Sequence, residues 1–272
     1  MKCCINNFDT LIFTANTDNV GEISFKYHDR TMEEVLEILN DNKDRRVILD
    51  VYKDCMKVTD MEDFKMIYEV YKNIVFRIHE ALMGEFKEAG LPFFINHAEM
   101  CAETFDELIS YCSLGITDVY ITGELGFSLD RVKKIADKNE VKIRAFPNIT
   151  QYSGTVYSNK EVLDPLTSFW IRPGDLYLYE DYIDTIEFMC DKELQQTYYE
   201  MYFTNIGYIG NLSIAIEGMV DLGNTLLPKE FTEFRLNCRK RCRFDECHKC
   251  HKFEALAKLI GENGLEVEKV ES

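Results

Sequence analysis

The chain has 272 residues and a mass of 31.8 kDa, a size that a single α/β barrel domain can occupy. Its 46% hydrophobic residues supply a core and exclude the disordered class for most of the length. A formal charge of −17 argues against a general nucleic-acid coat or an anionic membrane surface as the partner. We expect a cytoplasmic protein, because no apolar run is long enough to span a membrane and the N-terminus lacks the apolar run of a signal peptide.

The first half of the chain alternates short β-branched or aromatic segments with longer amphipathic ones, the pattern of repeated β-α units. Thr31 and Glu34 have the spacing of a capping box at a helix start. Gly90 is a natural helix end. The sequence predicts strands at residues 11–15, 46–51 and 92–96, an edge segment at 22–27, and helices at 31–40, 60–89 and 104–114.

The second half continues the alternation, with Ser128 as the predicted cap of its first helix. A barrel is favoured over an open doubly wound sheet, because no strand is followed by a glycine-rich phosphate loop. The barrel is expected to be irregular or incomplete, since no eighth strand stands out after Asp191. Strands are predicted at 118–122, 141–146, 168–172 and 184–188, and helices at 128–138, 175–182 and 193–203.

Four cysteines near the C-terminus form the strongest motif of the sequence. Cys238, Cys242, Cys247 and Cys250 lie within thirteen residues, and thiolates held so closely repel one another unless a cation binds them. Four such ligands suit tetrahedral zinc, and closely spaced cysteines also hold iron–sulfur clusters such as [4Fe-4S]. We therefore predict two parts, an α/β barrel at residues 1–234 and a metal-binding knuckle with a helix at 235–272.

The knuckle has a charge opposite to that of the rest of the chain. Residues 235–252 have a net charge of +5, whereas the remainder has −22. The cations either offset the negative charge of the thiolates and extend into water, or contact phosphate groups of a ligand.

Polar residues recur where the predicted strands end, which is the active end of a barrel. His97 with Glu99 has the residue types of a metal site or a proton relay, and more commonly of a solvated turn. Arg144 and Arg172 could bind a carboxylate or phosphate, or form internal salt bridges to Glu124 or Glu187. The candidate pocket comprises Asp50, Asn96, His97, Glu99, Glu124, Asn148, Arg172 and Glu187.

The segment 114–129, which contains the run Asp118-Val119-Tyr120-Ile121-Thr122-Gly123, resembles the collagenase-like peptidase (U32) family. Residues 144–149 and 170–190 are similar to later barrel strands of that family. The resemblance implies a barrel fold, an activity on RNA or a small molecule, and an iron–sulfur cluster held by four cysteines. In the family these cysteines begin just after the seventh strand, whereas four cysteines here lie together near the C-terminus.

Two functional hypotheses follow from these observations. In the first, the chain is an enzyme of the U32 type that modifies RNA or a small metabolite at the barrel mouth and carries a Cys4 metal centre. In the second, it is a non-catalytic, acidic interaction protein with a structural zinc site and a basic protein partner, encoded by a phage or mobile element. The sequence leaves the oligomeric state open.

Overall fold

A computed structural model describes residues 1–6, 19–57, 59–122, 125–126, 128–147, 171, 173–188 and 192–203. The strand predicted at 11–15, most of that at 168–172 and the whole of 235–272 lie outside these residues. The predicted zinc or iron–sulfur ligands therefore remain a prediction.

The described residues form one sheet of parallel strands in the order β5-β4-β3-β2-β1-β9-β8-β7-β6. The first strand lies at the centre of this order, and later strands are added on both sides of it. Parallel neighbours joined by helices are the arrangement that the alternating sequence predicts. The strands are β1 (Lys2–Ile5), β2 (Val20–Lys26), β3 (Arg46–Val51), β4 (Ile74–Ile78), β5 (Phe93–Ile95), β6 (Cys101–Ala102), β7 (Asp118–Ile121), β8 (Lys142–Ala145) and β9 (Thr185–Glu187).

Helices connect these strands, and local caps fix where several of them begin and end. The predicted capping box of Thr31 and Glu34 is confirmed, and Thr104 forms a second one with Glu107. Ser128 occupies the N-cap position, but its side chain makes no capping hydrogen bond. The helices are α1 (Met32–Asp41), α2 (Asp60–Val70), α3 (Met83–Ala89), α4 (Phe105–Cys112), α5 (Leu129–Lys138) and α6 (Lys192–Phe203), and a 3-10 segment covers Pro173–Leu178.

The sheet curls as a TIM-like barrel sheet does. Its two ends meet, since the backbone N–H of Thr117, just before β7, donates to the carbonyl of Phe93 on β5 at 2.8 Å. Side chains from strands far apart in the sheet order also meet inside the curl, as Arg144 of β8 does with Glu22 of β2 at 2.6 Å. Such contacts cannot form across an open, flat sheet, so the prediction of a TIM-like α/β fold is confirmed.

Three sequence predictions in the first half are wrong in detail. The single helix predicted at 60–89 is two helices, α2 and α3, with the buried strand β4 between them. The segment predicted as an edge is β2, which pairs with strands on both sides. The strand β1 near the N-terminus was not predicted at all.

Apolar side chains on the outer faces of the strands pack against the helices. Around β4, the rings of Phe64, Phe76, Phe86 and Phe93 form a continuous cluster with centroids 5.0–6.2 Å apart. This layer buries large aromatic area and holds α2 and α3 on the sheet. In the described part of the chain, no helix combines the length and the apolar composition that crossing a membrane would require.

Candidate functional site

Charged side chains meet inside the barrel at the carboxyl ends of the strands. Arg77 of β4 donates through Nε and Nη2 to the two carboxylate oxygens of Asp50 on β3, at 2.6 and 2.8 Å. Its Nη1 donates to Oε2 of Glu187 on β9 at 2.8 Å. The side chains of strands facing one another across the barrel thus share a single guanidinium, an arrangement that orients both carboxylates.

Three neutral side chains complete the coordination of Arg77. The Nη1 of Arg77 lies 3.2 Å from the hydroxyl oxygen of Tyr120. Its Nη2 also lies 3.1 Å from Oδ1 of Asn6 and 3.0 Å from Oγ of Ser24. Asn6 in turn donates to Glu187 at 3.2 Å. The side-chain amide of Gln195, on α6, forms two 2.8 Å hydrogen bonds with the backbone of Asn6 and so attaches this helix to the barrel.

The two carboxylates on Arg77 have pKa values that move in opposite directions. Burial raises the pKa of Asp50, and Arg77 only partly opposes that effect. Burial would also raise the pKa of Glu187, but Arg144 and Arg77 outweigh it and lower the pKa to about 2. Carboxylates whose proton affinities are separated in this way are the groups that divide acid and base roles in enzymes.

Arg144 of β8 lies at the centre of the barrel and is fully buried. Its Nε donates to Oε1 of Glu187 at 2.7 Å, and its Nη1 donates to Glu22 at 2.6 Å and Asp118 at 3.0 Å. The hydroxyl of Tyr120 donates to the same Glu187 oxygen at 3.0 Å. The predicted internal salt bridge between Arg144 and Glu187 is therefore confirmed.

Toward the amino ends of the strands, Arg46 of β3 continues the network. It binds both carboxylate oxygens of Asp118 at 2.5 and 2.6 Å and Glu22 at 3.2 Å. Burial would raise the pKa of Asp118, but hydrogen bonding to Arg46 outweighs it and holds the pKa below its ordinary value. Three arginines and four carboxylates thus form one connected set from one end of the barrel to the other; its members are Arg46, Arg77, Arg144, Glu22, Asp50, Asp118 and Glu187.

An aromatic wall adjoins this network near the carboxyl end. The rings of Tyr120 and Phe146 are stacked, with centroids 5.1 Å apart and planes 4° from parallel. His97 packs edge-on against Phe146 at 4.8 Å and against Tyr120 at 5.7 Å. Burial lowers the pKa of His97, so the imidazole is neutral near pH 7.

Among the residues that the structure describes, no hydrogen bond or ion pair joins His97 to Glu99. Oε1 of Glu99 instead lies 2.6 Å from Nε2 of His79, which follows β4, and Oε2 of Glu99 accepts a hydrogen bond from the backbone N–H of Glu80. Because Nδ1 of His79 accepts from the N–H of Ala81, both ring nitrogens are occupied. The pair joins two loops at the barrel mouth and leaves no free ring nitrogen for proton transfer.

Of the eight predicted pocket residues, the structure brings Asp50 and Glu187 together on Arg77. Asn96 accepts from the N–H of Ala98 and so closes the turn that holds His97. Within the residues that the structure describes, no group of three potential His, Cys, Asp or Glu ligands could hold a metal. Glu124, Asn148 and Arg172, like Cys238, Cys242, Cys247 and Cys250, lie outside the described residues.

Sequence reasoning missed Arg77, Asn6, Ser24 and Tyr120. Arg77 was hidden in the predicted helix 60–89, although the short β-branched and aromatic run from Ile74 to Ile78 is typical of a buried strand. An arginine within an otherwise apolar strand, like Arg144, was the available signal for a buried ion-pair network.

The comparisons with known proteins concern the fold. The chain is similar to the structure of the U32 peptidase Mk0906 with a TM-score of 0.43 and 13% identity, over 70% of this chain and 92% of that one. It is also similar to the Bacillus subtilis YkuI protein with an EAL domain, solved with c-di-GMP and calcium, with a TM-score of 0.34 and 11% identity over 65% and 48% of the two chains. A structure from Aquifex aeolicus VF5 has a TM-score of 0.34 and 10% identity over 68% and 76%.

No protein-family model and no curated protein matches the chain. An identity of 13% transfers no residue role. The resemblance to the U32 family that the residues indicated is thus also found, as a distant one, when the structures are compared.

Proposed function

We propose that this chain is a barrel enzyme that modifies a small metabolite or an RNA nucleotide bound at the carboxyl ends of its strands. The observation that carries the proposal is the buried pair of carboxylates, Asp50 and Glu187, on the shared Arg77. The interiors of such barrels are ordinarily filled by branched apolar side chains. Buried ion pairs are often no more stabilising than apolar residues of the same volume, so stability alone does not account for them.

Within this site we assign proton transfer to Asp50. Its pKa is raised by burial, whereas the pKa of Glu187 is lowered and keeps that side chain ionised. Glu187 then acts as the fixed charge that holds Arg77 and Arg144 in place. A carboxyl group whose pKa approaches the working pH is the better general acid or base of the two.

The aromatic wall supplies a flat surface for a ring-containing ligand. Phe146 is only partly buried, and one of its faces is already stacked on Tyr120. The neutral imidazole of His97 lies beside Phe146, and no described residue forms a hydrogen bond with its ring nitrogens. A ligand could therefore form hydrogen bonds with these nitrogens. A nucleobase or another planar heterocycle combines a face for stacking with edges for hydrogen bonding, which suits this surface.

Binding of nucleosides tests whether the carboxyl end of the barrel is a ligand-binding site. Adenosine and uridine are titrated into the full chain while the thermal unfolding midpoint is recorded, since a ligand that binds only the folded state raises this midpoint. We expect a saturable rise that Phe146→Leu and Asp50→Asn diminish, and that the remote, exposed control Lys134→Met preserves. Absence of a rise with both nucleosides, or an equal rise in all variants, would contradict this assignment of the mouth.

We further propose that Cys238, Cys242, Cys247 and Cys250 bind the metal centre of this enzyme. Anaerobic purification of the full chain, followed by metal and sulfide analysis, distinguishes the two forms. A brown protein containing iron and sulfide supports a redox enzyme, and a colourless protein with one zinc supports a structural site. Full metal occupancy after Cys242→Ser would show that the ligands are misassigned.

The acidic interaction protein remains the alternative, and the charge of −17 is what favours it. It predicts a colourless zinc protein that binds no nucleoside and retains a basic partner protein whose binding weakens as salt is added.

A further inference from the structure

A cavity lies at the opposite end of the barrel from the candidate site. Its volume is about 630 Å³, and it opens at the amino ends of β1, β2, β3, β8 and β9. Small-molecule sites commonly have volumes of about 300–1,000 Å³. The amino end of a barrel ordinarily serves stability rather than binding, so a polar cavity of this size there calls for an explanation.

Its deeper wall presents hydrogen-bond donors. Thr185 is 2% exposed and lines the cavity, yet its hydroxyl forms no hydrogen bond with the described residues. Lys2 lies opposite Thr185 in the register of β1 and β9. Arg144 on β8 is also opposite Thr185, and Lys142 lies two residues before Arg144 on the same strand. Because side chains alternate along a strand, Lys2, Lys142 and Thr185 all lie on the inner face of the sheet.

The chain accommodates the stem of Lys2 at a specific point. β1 and β2 pair with a register irregularity beside Gly21, where a Cβ atom would lie only 2.7–2.9 Å from Cγ, Cβ and Cδ of Lys2. A larger residue at position 21 would displace this side chain. Gly21 therefore allows Lys2 to lie across the cavity wall.

Carboxylates line the same space without pairing with these cations. Asp44 and Glu180 are lining residues, and within the described ranges no ion pair shorter than 4.0 Å involves either of them, Lys2 or Lys142. The other acidic lining residues are engaged: Glu22 binds Arg46 and Arg144, and Asp184 accepts from a backbone N–H. Of the lining cations, Arg46 binds Asp118 and Glu22, and Arg45 donates to Asn42. The cavity thus offers two exposed side-chain ammonium groups and two exposed carboxylates, with no ion pair between the two sets.

We propose that this cavity binds a small zwitterion of the amino-acid class. Lys2, Lys142 and the hydroxyl of Thr185 contact its carboxylate, and Asp44 and Glu180 contact its ammonium group. A ligand with both charges satisfies both sets of side chains, whereas a plain anion or cation leaves one set facing a like charge. This site is separate from the proposed reaction centre and does not depend on its function.

Titration calorimetry at low ionic strength tests the proposal with the full chain, tagged at the C-terminus because Met1 lines the cavity. Glutamine and glycylglycine are the zwitterionic probes, succinate the dianion and diaminobutane the dication. We expect saturable binding of a zwitterion at least about 10-fold tighter than that of succinate or diaminobutane, because the zwitterion forms charged hydrogen bonds at both ends and each single-charge probe forms them with one set of side chains only.

Three single substitutions locate the site, with unfolding midpoints recorded to verify folding. Lys142→Met and Asp44→Asn should each weaken zwitterion binding about 10-fold, and Thr185→Val should weaken it with little change in charge. Lys134→Met, which removes an exposed charge from α5 outside the cavity, should leave it unchanged. No saturable binding of either zwitterion, equally tight succinate, or equal losses in Lys134→Met and Lys142→Met would overturn the proposal.

Discussion

Replacing the buried Arg144 by methionine is the most direct test of the network that fills the barrel. The substitution keeps an unbranched, apolar stem and removes the guanidinium that binds Glu22, Asp118 and Glu187. Each of these carboxylates retains a second arginine, since Arg46 binds Glu22 and Asp118, and Arg77 binds Glu187. The expected loss therefore concerns mainly Glu187, whose pKa Arg144 lowers most strongly.

Two estimates of this loss agree. The pKa of Glu187 moves from 4.5 to about 2 although burial opposes the change. A tenfold change in proton affinity corresponds to about 1.4 kcal/mol, so all the partners of the ionised group together, net of burial, amount to about 3 kcal/mol, and Arg144 is the largest favourable contributor among them. Removing one partner of a buried ion pair typically costs about 3–5 kcal/mol. We expect Arg144→Met to lower the free energy of unfolding by about 3 kcal/mol.

Urea unfolding at neutral pH measures this loss, with Lys133→Met as the matched control. Lys133 also pairs with a carboxylate, that of Asp137 at 2.5 Å, but on the surface of α5, where such a pair contributes about 0.3–0.5 kcal/mol. Adding Glu187→Gln to Arg144→Met should recover part of the loss, because it removes the carboxylate left without Arg144. A loss in Arg144→Met no larger than that in Lys133→Met would refute the reasoning.

Three further predictions concern pH and local backbone structure. Burial lowers the pKa of His28, whose Nε2 has no partner among the described residues, so the folded state resists protonation of this imidazole. The free energy of unfolding that is present above about pH 6.5 should therefore fall as the pH drops through the lowered pKa. Urea unfolding across this range should show a smaller fall in His28→Gln. Gly90 has φ +67°, a conformation that alanine rarely adopts, so Gly90→Ala should destabilise the fold by about 1 kcal/mol. Gly84 lies within α3, where an added Cβ meets nothing within 4 Å, so Gly84→Ala should stabilise the fold by about 0.5–1 kcal/mol. Changes of the same sign for both variants in thermal unfolding would contradict this. Thr104→Ala should cost about 1 kcal/mol in urea unfolding by removing the cap of α4, and an unchanged midpoint would show that the cap is dispensable.

Local sequence signals predicted the fold where the segments were long or sharply bounded. The strands β3, β7, β8 and β9 and the helices α1, α4, α5 and α6 fall within a few residues of their predicted positions, because alternation, caps and glycine ends are local properties. β4 was not predicted, because its five residues lie between two helical patterns without an intervening glycine or proline. β1 was lost because Cys3 and Cys4, small buried residues on a central strand, give no strong strand signal.

The candidate site was predicted only in part, since its geometry depends on contacts across the barrel. Asp50 and Glu187 could be placed at strand ends from sequence alone, but their meeting on Arg77 joins residues 27 and 110 positions apart from that arginine. The sequence groups Glu99 with the nearby His97, whereas its partner in the fold is His79, which is twenty positions away along the chain. Proximity along the chain is a poor guide where parallel strands bring distant loops together.

The buried network has one more carboxylate than it has arginines, so its carboxylates do not all have the same number of arginine partners. Arg144 and Arg46 share Glu22 and Asp118 at the amino end, and Glu187 binds both Arg144 and Arg77. Asp50 is left with Arg77 alone, at the end of the set nearest the barrel mouth. The acid with the fewest cationic partners is the one whose pKa rises on burial. The connectivity of the buried charges therefore selects Asp50 as the group best able to exchange a proton with a ligand.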